Sequence, residues 1–385
     1  MLEKVKPREQ AGRDVFARYK AQVRSAAIAA LAILEGEIDR VYCDLHDDFV
    51  IRYKLDEGYQ YSFFQVKTNN KSNSNWTIND LFGISSSGKK TADLKKMQDS
   101  FAGKMFLHTV NFPNSCAEVI FQTNITINDA AEKFVEDVVS GNFSAKNTQI
   151  LFKMFHEVVG DADKLLSPED IVNCLSKFRV ATDVQYIKSK EHRFDSYAVE
   201  HIFKYSEIEL TRAENELILL KLVDLVSNKS SGIIADYNET TIESEAAISI
   251  DDLLKVLSIS KSAYELLAQN GDEKAIKNAS MIQRALKGSG ADSELLTYCA
   301  KCKVSWDIWK RNNRHCLSEY QILDLCSRVN GVLKKVIKIN SVDFSVMITN
   351  LEDLKKDLEL NDLLFDLNMD ELIGAFFSEL SKEQI

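Results

Sequence analysis

Proline and glycine are scarce, with 3 and 14 in 385 residues. Both break helices, so their rarity excludes collagen-like and Gly/Pro-rich low-complexity chains and leans toward a mostly helical protein. Long apolar runs are also lacking. The longest, Ala26 to Leu34, is nine residues, about half of what a bilayer crossing needs, so no membrane segment is expected. The opening stretch MLEKVKPREQ has no apolar signal-peptide core, which points to a protein that stays in the cytoplasm. The seven cysteines are odd in number and scattered, and they read as free thiols rather than a disulfide framework. Among nucleotide and hydrolase motifs, GxxxxGK[ST], GxGxxG and GxSxG are all missing, which leaves ATP hydrolysis, dinucleotide binding and serine hydrolysis without support.

What is present is an ordinary globular composition, 45% hydrophobic and 28% charged. The length exceeds what one core usually organises, so two domains are expected. The formal charge of −10 argues against a generic polyanion binder. It is unevenly spread: residues 1–110 hold 17 Lys plus Arg against 14 Asp plus Glu, while the remainder holds 31 against 44. Any nucleic-acid surface is therefore expected in the first part.

Residues 11–35 space alanines, leucines and aromatics as one long helix. After Ile38, three runs (RVYCDLH, DFVIRYKL, YQYSFFQVKT) are β-branched and aromatic and separated by turn formers including Asp56, Glu57 and Gly58, which predicts a three-strand meander. A polar loop follows to Trp76, then a short helix capped by Thr77, a second loop, a helix from about Thr91 to Lys104, and a strand from Ala117 to Ile125. Beyond that the signals are almost wholly helical. The domain boundary is expected at 205/206, before the helix TRAENELILLKLVDLV, giving 1–205 and a helical assembly or partner-binding domain, 206–385.

Asp44, Asp47 and Asp48 precede a second cluster, Gln65, Val66 and Lys67, which begins 17 residues after Asp48. On a strand Gln65 and Lys67 project to one face, because side chains alternate. If the two strands flanking the Asp56–Gly58 turn pair antiparallel, Asp48 approaches both. Phosphodiester hydrolysis with Mg²⁺ uses this kit. A carboxylate, an amide oxygen and a backbone carbonyl are hard ligands for the ion, and an ammonium orients the attacking water or stabilises charge growing on phosphorus. A strand lysine beside an aspartate is also an ordinary surface ion pair, and spacing alone leaves both readings open.

An ordered set extends the pattern: Pro7, Arg8, Glu9 and Gly12, the segment Phe16 to Gln22, Asp47 and Asp48 before a β-branched strand, Gln65 to Thr68, and Trp76 and Thr77 before Leu81. In this order the residues resemble the opening of domain-of-unknown-function family 4297, double-stranded DNA endonucleases of the PD-(D/E)XK superfamily that act as effectors in anti-phage defence. The resemblance covers about residues 7–130. It implies an α/β restriction-endonuclease-like (PD-(D/E)XK) domain followed by a mostly α-helical domain. It also implies a metal site of Asp48 and Gln65 with Asp47 or Asp44 assisting, Mg²⁺ with Mn²⁺ as the alternative ion, and Lys67 serving the attacking water. Asp44 stands where the family more often has glutamate, and Gln65 where the superfamily more often has an acid. A further acid from the first helix is expected, with Asp14 and Glu35 as its candidates. One branch of the family stands alone and works with a HerA-type hexameric ATPase. Because the region after 205 lacks the strand alternation of a SAVED sensor, that branch fits better, with homo-oligomerisation as part of activation. A catalytically inactive adaptor and a cyclic-oligonucleotide-activated CBASS-type nuclease are the competing readings.

Four other features carry two readings each. Lys89, Lys90, Lys95 and Lys96 are placed to hold DNA phosphates or to form a solvated helix face. Trp76 reads as a core anchor before a base-stacking ring, and His46 as a turn residue before a proton shuttle. Cys299, Cys302, His315 and Cys316 have a zinc-like spacing, yet the two cysteines of the first pair fit an apolar helical stripe with Leu295, Leu296 and Trp306.

Overall fold

The structure, a computed structural model, describes residues 10–69, 74–85, 93–160, 166–188, 193–206, 210–313, 315–337 and 341–383. The chain divides into two compact units, residues 1–205 with 212–253, and residues 206–211 with 254–385.

The first unit is built on a six-stranded mixed sheet. Its strands are β1 (Ile38–Cys43), β2 (Phe49–Lys54), β3 (Tyr59–Lys67), β4 (Cys116–Thr123), β5 (Phe178–Ala181) and β6 (Ala247–Ile248), in the order β5-β4-β3-β2-β1-β6. The expected meander is β1–β3, antiparallel throughout, while β4 runs parallel to both β3 and β5. Gly58, at φ +88°, makes the β2–β3 turn possible, because residues with a Cβ rarely enter that region.

Helix α1 (Gln10–Leu31) packs against β1, β2 and β3. Its buried Ala21, Ala26, Ala27 and Ala30 keep the helix surface low, so backbone and sheet approach closely. Helices α2 (Ile78–Phe82), α3 (Leu94–Asp99), α4 (Phe101–Asn111), α5 (Asp129–Val139), α6 (Lys146–Val159) and α7 (Pro168–Ser176) build the other main core. There Phe82, Phe106 and Phe155 of the helices meet Phe63, Phe121 and Phe178 of the sheet. The single helix expected over 91–104 is instead α3 and α4, broken at Ser100. Ser100 caps α4 by accepting from the Gly103 N–H at 3.0 Å and donates to the Met97 carbonyl at 2.6 Å.

Helix α8 (Arg193–Ser206) is followed by α9 (Arg212–Ser231) and α10 (Glu239–Glu245). The sequence boundary at 205/206 makes α9 the start of the second domain, but the structure groups α9, α10 and β6 with the first unit. Ile218, Leu222 and Val226 form a buried stripe on α9, which packs on α1, and β6 pairs antiparallel with β1. An ion network fixes this return. Glu243 accepts from Arg40 Nε at 2.9 Å, Arg52 Nη1 at 3.0 Å and the Tyr42 hydroxyl, while Asp39 accepts from Arg52 Nε at 2.7 Å.

The second unit is helical. Helix α11 (Ile250–Val256) spans the division and is followed by α12 (Lys261–Gln269), α13 (Ala275–Leu286), α14 (Ser293–Asn313), α15 (Glu319–Val336), α16 (Phe344–Leu360) and α17 (Met369–Glu383). Leu372, Ile373, Phe376, Phe377 and Leu380 of α17 are buried, so this helix packs as core. Gly374 lets it touch α14, since a Cβ there would stand 2.1 Å from the Cys302 carbonyl oxygen. Cys299 and Cys302 are buried on α14, and burial pushes the Cys302 thiol up to about 12. No helix among the described residues is long and apolar enough to cross a membrane.

Candidate active site

The turn between β1 and β2 carries the three aspartates. Asp44 and His46 adopt left-handed backbone conformations at φ 48° and 67°, and the Asp44 N–H closes on the Asp48 carbonyl at 3.2 Å. Non-glycine residues rarely sit there, and aspartate and histidine are among the more tolerant. The tight reversal delivers Asp48 to the start of β2. Because Phe49 pairs with Phe64, Asp48 reaches the next step of β3, where Gln65, Val66 and Lys67 lie.

One oxygen of Asp48 gathers three donors. Oδ2 accepts from Gln65 Nε2 and the Val66 N–H, each at 2.6 Å, and lies 3.4 Å from Lys67 Nζ. The other oxygen, Oδ1, accepts from Gln22 Nε2 of α1 at 2.5 Å. Lys67 also lies over the Phe101 ring, 5.7 Å from its centroid, and remains partly solvent-accessible. Asp48, Gln65 and Lys67 therefore converge as the strand register requires.

The neighbouring aspartates turn to other partners. Asp47 accepts from the Asp48 N–H at 3.0 Å and lies 3.2 Å from His108 Nε2. Burial pushes its carboxyl above the usual range, and His108 pulls it partly back. The His108 ring stacks on Phe63 at 4.4 Å, and His46 packs edge-on to Phe112. Burial raises the Asp44 carboxyl, the nearby Ser230 at the end of α9 lowers it, and the negative charge of Asp48 raises it. Glu35 is exposed at the end of a 3-10 turn, and the side chain of Asp14 lies outside the described residues.

The helical contributor is thus Gln22, which sequence reasoning missed as a site residue. Its signal was a polar pair, Gln22 and Ser25, three residues apart on an otherwise apolar helix face. Ser25 and Gln122 are both buried and hydrogen-bond to each other, and Gln122 Nε2 donates to the Tyr186 hydroxyl at 2.9 Å. This ties α1 to β4 one turn from Gln22.

Among the described residues, no three His, Cys, Asp or Glu side chains form a metal-holding cluster. The local oxygen set is instead the Asp48 carboxylate and the carboxamide oxygens of Gln22 and Gln65, whose nitrogens face Asp48 in this structure. These are hard oxygen donors, and Mg²⁺ keeps several waters while taking one or two carboxylates plus substrate phosphate, so the residues suit that ion. Lys95 and Lys96 are exposed on α3 beside Asp93 and Asp99, and Lys89 and Lys90 lie outside the described residues. Trp76 donates through Nε1 to Thr123 at 2.8 Å and packs edge-on to Phe101 and Phe121, which is an anchoring role.

No curated protein matches the chain. Among solved structures, an Acinetobacter baumannii Cap4 SAVED/CARF-domain receptor with 3'3'3'-cAAA is 11% identical with a TM-score of 0.36, over 65% of this chain and 44% of that one. The same receptor with 2'3'3'-cAAA is 10% identical at 0.36, over 76% and 58%. A Moraxella osloensis Cap4 receptor is 13% identical at 0.36, over 68% and 49%. The chain spans about half the length of these receptors. A family model described as "Cap4, dsDNA endonuclease domain" matches residues 10–230, more than half of the chain, and the match includes Gln22, Asp48, Gln65 and Lys67. The chain belongs to the Cap4 dsDNA endonuclease domain family.

Proposed function

We propose that this chain is a metal-dependent endonuclease of the PD-(D/E)XK type that cuts double-stranded DNA as an effector of bacterial anti-phage defence, in a complex with a HerA-type hexameric ATPase. The observation that carries the reading is the Asp48 carboxylate gathered with Gln65, the Val66 N–H and Lys67 at the end of a strand pair.

In this reading Asp48 and the Gln65 amide oxygen hold Mg²⁺, with the amide of Gln22 beside them and Asp47 or Asp44 assisting. An ion held there would lower the pKa of a bound water and offset the charge of the phosphate. Lys67 orients the attacking water by hydrogen bonding and stabilises negative charge on the phosphoryl oxygens as the bond forms. The Phe101 ring supports the ammonium from the side, and Lys95 and Lys96 contribute phosphate contacts. With Gln65 where an acid is more usual, the site has one fewer negative charge and would hold the ion weakly in the free protein, and DNA phosphate would supply a further oxygen ligand. Self-association and the ATPase, which the family resemblance implies, supply activation through the helical second unit.

The test is Mg²⁺-dependent cleavage of linear and supercoiled duplex DNA by the wild type and Lys67→Ala, alone and with a HerA-type partner. The wild type should cleave, and Lys67→Ala should lose on the order of 100-fold or more in rate at unchanged oligomeric size. Absence of wild-type cleavage in every combination, with DNA or partner binding intact, would instead establish the inactive adaptor.

A further inference from the structure

Backbone pairing between β3 and β4 ends at Lys67, opposite Thr123. Two residues further on, a side chain takes over the ladder. Asn124 is 8% exposed and follows β4 directly. Its Oδ1 accepts from the Asn69 N–H at 2.8 Å, and its Nδ2 donates to the Asn69 carbonyl at 3.0 Å. A carboxamide carries donor and acceptor in one plane, as a peptide group does, so Asn124 supplies the rung that the backbone no longer makes.

The consequence falls on Lys67. Its ammonium ends a flexible four-carbon stem, so its position depends on the backbone that launches it. On the N-terminal side that backbone is held by the Val66 N–H bond to Asp48; on the C-terminal side it is held by Asn124 through Asn69. We infer that Asn124 is a positioning residue for Lys67: its paired hydrogen bonds to Asn69 fix the end of β3 so that the ammonium stays beside the Asp48 carboxylate. This rests on the reading of Lys67 as the lysine that serves the attacking water. Misplacing a reacting group by about 1 Å costs on the order of 100-fold in rate, so a two-bond clamp two residues away has a measurable effect.

The experiment uses the full chain, with its ATPase partner if cleavage requires one. Single-turnover cleavage of a duplex in Mg²⁺, duplex affinity in Ca²⁺ and thermal midpoint are measured for the wild type, Asn124→Ala, Asn124→Asp, Lys67→Ala and the Lys67→Ala/Asn124→Ala double variant. Asn124→Ala should slow cleavage by about tenfold or more with duplex affinity unchanged and only a small fall in midpoint from the two lost hydrogen bonds. Asn124→Asp, which keeps an acceptor for the Asn69 N–H but sets a carboxylate oxygen against the Asn69 carbonyl, should slow cleavage at least as much as Asn124→Ala. The double variant should be no slower than Lys67→Ala, because a residue acting through Lys67 has nothing left to position. Wild-type rates in both Asn124 variants would overturn the inference, as would a full Asn124→Ala loss persisting without Lys67. If Asn124→Ala does not fold, Asn124→Asp decides by its own rate. Wild-type cleavage by Lys67→Ala is a separate outcome that removes the catalytic reading of Lys67 itself.

Discussion

Asp48 is ringed by donors: Gln22, Gln65, the Val66 N–H and Lys67 all point at it. Replacing Gln22 by Glu would add a negative charge beside the proposed ion site, and replacing it by Ala would remove a group that orients Asp48. Half-maximal cleavage should need about tenfold less Mg²⁺ in Gln22→Glu and more in Gln22→Ala, as changes beside a metal site commonly shift affinity by this much. A titration of cleavage rate against Mg²⁺ checks both. Two of these four groups, Gln65 and Lys67, were legible in sequence because strand register is simple arithmetic: alternation fixes their face, and a hairpin turn fixes what lies opposite. Gln22 was not, because a helix can present any face to a sheet and only packing decides which. Asp47 and Asp44 were legible as acids but not as neighbours of His108 and Ser230, which come from 61 and 186 residues further along the chain.

The meander β1–β3 was readable because its strands are contiguous and each carries its own branched and aromatic residues. The break between α3 and α4 was not, since Leu94, Met97, Phe101 and Met105 continue one apolar pattern across it. What interrupts the helix is Ser100 with Gly103, where an added Cβ would stand 2.0 Å from the Met97 carbonyl oxygen. Ser100→Ala should therefore cost about 1 kcal/mol, the usual loss of a helix cap. Gly103→Ala should cost more, about 1–3 kcal/mol, because backbone rather than a side chain must move. Urea unfolding of the two variants against the wild type measures both. Phe101 opens α4 beneath Lys67, so the break also sets where that ring lies.

At the scale of the chain, an N-terminal mixed part and a helical C-terminal part are legible in sequence, and the structure divides them later than residue 205. The stretch 212–253 reads as helix and belongs with the sheet, because a two-residue strand has no periodicity and exists only through its pairing with β1. A chain ending at residue 205 lacks Ile218, Leu222 and Val226 against α1 and leaves the β1 edge bare, an open template for intermolecular pairing. Such a chain should be recovered largely as aggregate, whereas one ending at Leu253 should be monodisperse; sedimentation of the two compares them. The same separation has a meaning in time. The partner of β1 emerges about 200 residues after it, and at roughly 5–20 residues per second a growing chain waits about 10–40 s for its last strand. The residues gathered around Asp48 are all made by residue 67, so every side chain of the candidate site leaves the ribosome well before the sheet that holds it is closed, and the length of that interval is set by translation rate.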